Sequence, residues 1–274
     1  MNNRQDGKNT GRDKVYAEPL AQVDAFKFDA QVADVFENMI NRSVPGYPLI
    51  LDMIGVLTER FAQSDSNCYD LGCSLGASTL KIRQHMPADS HLIAVDNSAA
   101  MIDRCRANIE RDHSQASTEV LQQSIQDTQI DNASLVVMNF TLQFIADQER
   151  PALLKRIADG MINGGALILS EKLVFEDEQE QRFQTDLHHD FKRYQGYSDL
   201  EVAQKRASLE NVLVPNSIEQ HIDRLSNAGF SEVRMIVRCL NFEPVSSAQL
   251  PTIVFDPPAC GQLILLTQRC RIPP

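Results

Sequence analysis

The chain has 274 residues, 43% of them apolar, and a formal net charge of −11 at pH 7. That charge excludes a phosphate-binding footprint spread over the surface, which takes clustered lysine and arginine, and favours a small-molecule substrate. The length suits one sizeable core with an appended subdomain. Six cysteines form no C-x-x-C pair and no zinc spacing with the six histidines, so reduced thiols, a cytoplasmic setting and no metal are expected.

Residues 1–28 are expected to form a disordered or loosely packed tail, with almost nothing apolar before Val15. From Asp29, a plausible N-cap, the residues Val32, Val35, Phe36, Met39 and Ile40 fall at helical spacing. Ser43–Pro48 breaks that helix, and Leu49, Ile50, Met53, Ile54, Leu57 and Phe61 resume the pattern. The two helices, over 29–61, are expected to cap the domain that follows. Tyr47 stands on the connecting turn, where its ring either leans over a pocket or packs the helices.

The stretch Asn67–Ser78 is the most informative. An apolar run ends on Asp70, turns through Gly72 and Gly76, and leads into a helix-compatible segment. A strand feeding such a loop lets backbone approach a ligand closely. Ser74 stands where the dinucleotide fingerprint has its second glycine, and an acid before the first glycine is the pattern of S-adenosylmethionine (SAM) enzymes. His91–Asp96 is a second strand ending in acid, and Asp96 follows Asp70 by 26 residues. A ribose-binding acid is expected about 20 residues on. Ser98 is placed to cap the next helix, which carries Met101, Ile102, Cys105 and Ile109.

Thr118–Gln122 reads as a third strand, followed by Ser124 and Ile125, where adenine contacts usually lie. Leu135–Phe140 reads as a fourth, with Asn139 at its carboxyl end, where ligands of open α/β sheets collect. A helix over Asp147–Met161, a stop at Asn163-Gly164-Gly165 and a fifth strand over Ala166–Ser170 come next. Residues 172–214 depart from this alternation as a helical insertion of two helices. Within it, His188-His189-Asp190 is no metal site, because adjacent helical residues point apart. Lys192-Arg193 and Lys205-Arg206 form the one basic cluster in an acidic chain. Solvated helix faces account for such pairs, and so does a guanidinium gripping a carboxylate in two prongs.

A helix over Ser217–Ala228 capped by Gly229, then strands Val233–Cys239 and Gln262–Thr267, complete the pattern. Asp256-Pro257-Pro258, in the long hairpin connection 243–261, is an ordinary turn. The D-P-P motif of amino-group methyltransferases belongs after the fourth strand, and Asn139-Phe140-Thr141 holds that place. The fold class is therefore α/β: one Rossmann-like domain over 29–274 with a doubly wound, seven-stranded sheet, mostly parallel, its last strand antiparallel.

Phe36–Tyr47, Tyr69–Gly76, Asp96-Asn97-Ser98, Asn139–Phe144, Leu169–Lys172, His188–Lys192 and Gln204-Lys205-Arg206 together resemble one family, carboxy-S-adenosyl-L-methionine synthase. The resemblance runs from about Asp29 to Phe242. It implies a homodimer that converts SAM and prephenate to carboxy-SAM and phenylpyruvate, supplying the donor for wobble-uridine modification in tRNA. It implies no direct tRNA binding and no membrane association. Matched residue by residue, Tyr47, Gly72, Cys73, Ser74, Asp96, Asn97, Ser124, Ile125, Asn139 and Arg206 bind SAM or its product, and Arg206 is the catalytic group that holds the new carboxylate. Ser124 departs from the Asp usual there, and the 243–261 connection departs from the family's short hairpin. An ordinary SAM-dependent methyltransferase and a non-catalytic SAM- or carboxy-SAM-binding partner of a tRNA-modifying enzyme are the competing readings.

Overall fold

The computed structural model describes residues 11–239 and 262–268. Seven strands form one sheet: β1 (Asn67–Leu71), β2 (His91–Asp96), β3 (Ser117–Gln122), β4 (Ala133–Asn139), β5 (Met161–Lys172), β6 (Glu232–Cys239) and β7 (Gln262–Gln268). Their order is β3-β2-β1-β4-β5-β7-β6, and β7 runs antiparallel to both neighbours while the first five pair in parallel. The expected doubly wound sheet with an antiparallel last strand is what forms. The chain reverses its strand order between β1 and β4, and their carboxyl ends open the crevice where such folds take ligands.

The central strands are apolar on both faces, as strands covered by helices on both sides must be. Tyr69, Leu71, Ile93, Val95, Val136, Met138, Leu167 and Leu169 face one layer, packing against Leu153, Leu154 and Ile157 of α5 (Arg150–Gly160) and Leu225 and Ala228 of α8 (Ile218–Ala228). The alternate residues Cys68, Leu92, Leu135, Val137, Ala166 and Ile168 face the other, against Ile50, Ile54 and Leu57 of α2 (Tyr47–Phe61) and Ile82 of α3 (Ala77–His85). Each such side chain contributes on the order of 1.5–3 kcal/mol by leaving water. The sheet-facing role of α2 makes it part of a core layer rather than a cap.

Asp29 caps α1 (Ala30–Ser43) by accepting from the backbone N–H of Val32 at 3.0 Å. Ser98 caps α4 (Ala99–Arg111) in the same way. Two boundaries differ from the sequence reading. Helix α5 stops at Gly160, and Asn163-Gly164-Gly165, expected as its stop, lies within β5. Ala133 pairs with Met161 but Leu135 with Ala166, so the intervening residues bulge. Gly164 has φ +77°, and a Cβ on Gly165 would stand 2.9 Å from the Ala133 carbonyl oxygen, which only glycine tolerates.

The tail needs a correction as well. Residues 11–28 carry no helix or strand, yet they are not loose. Tyr16 and Phe26 are buried with Val32, Ala33, Met39 and Met101. The Phe26 N–H donates to the Ser208 carbonyl at 2.8 Å, and Gln204 bonds the backbone of Tyr16, Glu18 and Leu20. The composition average hides these apolar residues, and the hydrogen bonds tie the segment to the helix over Asp199–Leu209. Residues 1–10, the 243–261 connection and Asp256-Pro257-Pro258 lie outside the described residues.

The insertion forms α6 (Glu178–Tyr194) and α7 (Asp199–Leu209), the latter opened by a capping box between Ser198 and Glu201. Its return is anchored by the fully buried Arg150. That guanidinium donates to the carbonyls of Ile145 and Val214 at 2.9 and 2.8 Å and to the Asn216 side chain.

Candidate functional site

One cavity of about 1540 Å³ opens at the carboxyl ends of the strands, under α1 and the insertion. Tyr47, Gly72, Cys73, Ser74, Asp96, Asn97, Ile125 and Asn139 all line it. These are residues that the family resemblance matched, and each lies at the end of a strand, just after one, or at the start of a helix on the same side of the sheet.

The loop after β1 is built by backbone. The N–H groups of Gly72 and Cys73 both donate to the Val95 carbonyl, at 2.8 and 2.9 Å. Gly72 has φ +85° and lies so close to Thr141 that a Cβ would stand 2.3 Å from the threonine hydroxyl. Ser74, where the dinucleotide pattern has glycine, also takes positive φ, at 50°. Its N–H donates to Asp96 Oδ2 at 3.0 Å, while Asp96 Oδ1 accepts from the Ser98 N–H at 2.9 Å. The ribose candidate therefore stitches loop and strand together. Burial raises its pKa, opposed by those backbone donors.

Asp70 is 1% exposed and accepts from Thr79 Oγ1 at 2.6 Å; its other oxygen has no partner. Burial, with Asp96 adding repulsion, pushes its pKa up to about 7. Across the crevice, the Asn139 amide donates to Ser78 Oγ at 3.1 Å, and its buried carbonyl oxygen is unpartnered. An orphaned acceptor facing a cradle that a Cβ would fill fits an amino- and hydroxyl-bearing ligand such as SAM. Tyr47 is buried, its ring 6.4 Å from that of Phe140, and its phenol is held well above its ordinary pKa by burial and by Asp70.

The segment after β4 is held by Glu171. Its carboxylate accepts from the N–H groups of Leu142 and Gln143 at 2.8 and 2.9 Å, fixing Phe140 and Thr141 over the loop. Burial pushes this carboxyl up to about 8 against those donors and Arg150.

Two expected residues are elsewhere. The Ser124 hydroxyl turns back to Gln126, donating to Oε1 at 2.6 Å, so Gln126 lines the cavity beside Ile125. Arg206 is exposed and outside the cavity of its own chain. The dipeptides flagged as basic are split by the helix: Lys192 and Lys205 are 8% and 7% exposed and line the cavity, while Arg193 and Arg206 face out. His188 lines it too, its Nε2 2.8 Å from the Ser43 carbonyl, and His189 does not. Phe140, Thr141, Gln126, Lys172, His188, Lys192 and Lys205 are lining residues for which the sequence reading assigned no role. Among the described residues, no group of three His, Cys, Asp or Glu is placed to hold a metal ion, and no helix is long and apolar enough to cross a membrane.

Residues 69–165 match a methyltransferase domain. The carboxy-S-adenosyl-L-methionine synthase of Hahella chejuensis (strain KCTC 2396) is 56% identical over 237 residues, covering 84% of this chain and 96% of that protein. The synthase of the same name from Stutzerimonas stutzeri (strain A1501) is 53% identical over 235 residues, with 84% and 95% covered. Solved structures share the fold at low identity. The SAM-dependent methyltransferase SibL superposes with a TM-score of 0.59 at 11% identity, over 88% of this chain and 58% of that one. A SAM-dependent methyltransferase-like protein from Methanococcus maripaludis gives 0.56 at 17% identity, over 92% and 98%.

Proposed function

Because the chain belongs to the carboxy-S-adenosyl-L-methionine synthase family and is a transferase-type enzyme acting on SAM, we propose that it converts SAM and prephenate into carboxy-SAM and phenylpyruvate. The observation that carries this reading is the near full-length identity to the synthases, 56% over 96% of one of them. The cavity supports it by gathering eight of the residues matched to SAM.

In the reaction proposed, prephenate loses CO2 and expels hydroxide from its ring. The hydroxide takes a proton from the sulfonium methyl of SAM, giving water and an ylide, and the ylide carbon bonds to the CO2. Little side-chain acid–base chemistry is needed. The chain's part is to position two substrates and exclude water, which fits a cavity with no catalytic dyad. Gly72, Cys73 and Ser74 present backbone to the cofactor, Asp96 takes the ribose, Ile125 and Gln126 flank the adenine, and Asn139 receives a donor from the methionyl half.

Arg206 faces solvent, which supports a role in a second subunit's cavity, where it holds the new carboxylate in two prongs. Phe183 and Tyr194, 58% and 88% exposed on α6, support a homodimer through the same helices. The product then supplies a carboxymethyl donor to a separate tRNA-modifying enzyme in the cytoplasm; the net charge of −11 supports the absence of direct tRNA binding.

Incubation with SAM and prephenate, read by mass spectrometry, tests the reaction. Formation of SAM heavier by one CO2, with phenylpyruvate, is expected. Failure in SAM-loaded, folded protein would sink it, and transfer of an unmodified methyl group to a small acceptor would replace it with ordinary methyl transfer. Arg206→Ala is expected to bind SAM normally and lose most carboxy-SAM formation; full turnover removes the carboxylate role.

A further inference from the structure

The cavity is larger than one adenosyl ligand needs, since pockets for single drug-sized ligands run to roughly 300–1,000 Å³. Part of its lining lies beyond Asn139, on β5 and the insertion. That residue pairs with Ser170 across β4 and β5, and Lys172 stands two residues further along β5, at the mouth of the insertion. There Lys172 of β5, His188 and Lys192 of α6 and Lys205 of α7 line the wall, with Lys192 and Lys172 close enough to act on His188 and Lys192 on Lys205. Glu37 of α1 lines the cavity as well.

Lys205 is the key member. It is 7% exposed, and its Nζ donates to the Ser43 hydroxyl at 3.0 Å. The Tyr197 ring lies 5.9 Å away, with the Arg42 guanidinium stacked on it at 3.8 Å and the Tyr197 hydroxyl bonded to Asp13 behind. An ammonium buried on a hydroxyl and an aromatic face is poorly compensated. Burial accordingly pulls its pKa down to about 7, with Lys192 and Arg42 acting in the same sense and Asp13 against them. His188 is half-buried, its pKa is lowered by desolvation and by Lys192, and it donates Nε2–H to the Ser43 carbonyl. Such a wall stays charged most readily when an anion faces it.

We propose that Lys205, with Lys172, Lys192 and His188, forms a carboxylate-binding subsite for the anionic co-substrate, and that it holds the carboxylate retained in the product. This rests on the reaction proposed above. The second half follows from transition-state logic. Ammonium groups clamped on the departing carboxylate would stabilise the ground state and slow the loss of CO2, whereas clamping the surviving one orients the ring without that penalty. The methionyl carboxylate of SAM is the other possible source of the same chemistry.

Steady-state kinetics of Lys205→Met and Lys205→Arg separate these. For K205M, KM for prephenate should rise about 10- to 100-fold, as expected for a lost charge-assisted bond. KM for SAM should not move, and competitive inhibition by phenylpyruvate, which keeps the surviving carboxylate, should weaken by the same factor. K205R should retain most of the parent's affinity for both. An unmoved prephenate KM, or a rise in SAM KM instead, overturns the subsite. Unchanged phenylpyruvate inhibition beside a raised prephenate KM overturns the assignment of the carboxylate. Should K205M fail to fold, calorimetric titration of SAM-loaded parent with phenylpyruvate must show tighter binding at pH 6 than at pH 8; equal affinity refutes the subsite. If the parent makes no carboxy-SAM, the reaction falls, and the same titration still decides the subsite.

Discussion

Replacing Gly72 by alanine perturbs the cofactor loop at its tightest point. Its φ of +85° is disfavoured for any L-residue with a Cβ, at about 1–2 kcal/mol. The added methyl would also lie 2.3 Å from Thr141 Oγ1 and 2.5 Å from Cγ2, and overpacking of this kind costs about 1–3 kcal/mol. The two terms together give roughly 2–5 kcal/mol. Whatever the loop escapes by shifting is lost again as SAM affinity, because the shift moves the backbone that must meet the ligand. Each ~1.4 kcal/mol taken in that way weakens SAM binding about tenfold, and the remainder appears as lost stability. Calorimetry of SAM binding and urea unfolding on Gly72→Ala, Thr141→Ala and the double variant measure both parts. The double variant should recover about 1–3 kcal/mol relative to additivity. If Gly72→Ala binds SAM and unfolds in urea as the parent does, or Thr141→Ala relieves nothing, close approach at this glycine is not what shapes the site.

Glu171→Gln leaves one acceptor oxygen for the two backbone N–H groups of Leu142 and Gln143, so it should cost about 1–3 kcal/mol in urea unfolding; a loss below about 0.5 kcal/mol would show that these donors find water instead. His221 is 2% exposed with neither ring nitrogen hydrogen-bonded, and burial, with Arg224 and Arg150 nearby, lowers its pKa to about 4. Because the unfolded imidazole binds its proton near pH 6.5 and the folded one does not until about pH 4, this residue makes stability fall as pH drops through that window. His221→Phe should therefore gain more stability at pH 5 than at pH 8; a gain that is the same at both excludes the buried neutral ring as the cause.

The sheet was legible because its strands are short, largely apolar runs with Asp70, Asp96 and Asn139 at or next to their last residues, and ends of strands are where composition changes most sharply. The cavity residues at those strand ends were legible for the same reason. What the sequence hid were residues whose direction depends on helix phase. Lys192 and Lys205 read as members of solvated pairs because a dipeptide carries no record of which neighbour faces in. Ser124 was placed one residue from the true wall, since its short hydroxyl closes a local turn with Gln126. The tail is tighter than its polar beginning suggests because Val15, Tyr16, Val23, Phe26 and Phe28 pack in one cluster while Gln204 and Ser208 bind the backbone of the same segment.

Helix phase also accounts for how the insertion divides its cations between the cavity and the surface. Successive residues on a helix diverge by about 100°, so in Lys205-Arg206 a cation pointing into the cavity forces its neighbour onto the outer face. The same holds for Lys192-Arg193 on α6, where Arg193 is tied to Asp190 and Asp199 at 2.8 and 2.7 Å on the surface. Arg206 has no such surface partner in the hydrogen-bond and ion-pair network of the described residues, although both arginines lie on exposed helix faces. A guanidinium held out and left uncommitted, beside an ammonium held in and poorly compensated, is the arrangement expected if the inner group receives this subunit's co-substrate and the outer one completes the neighbour's site.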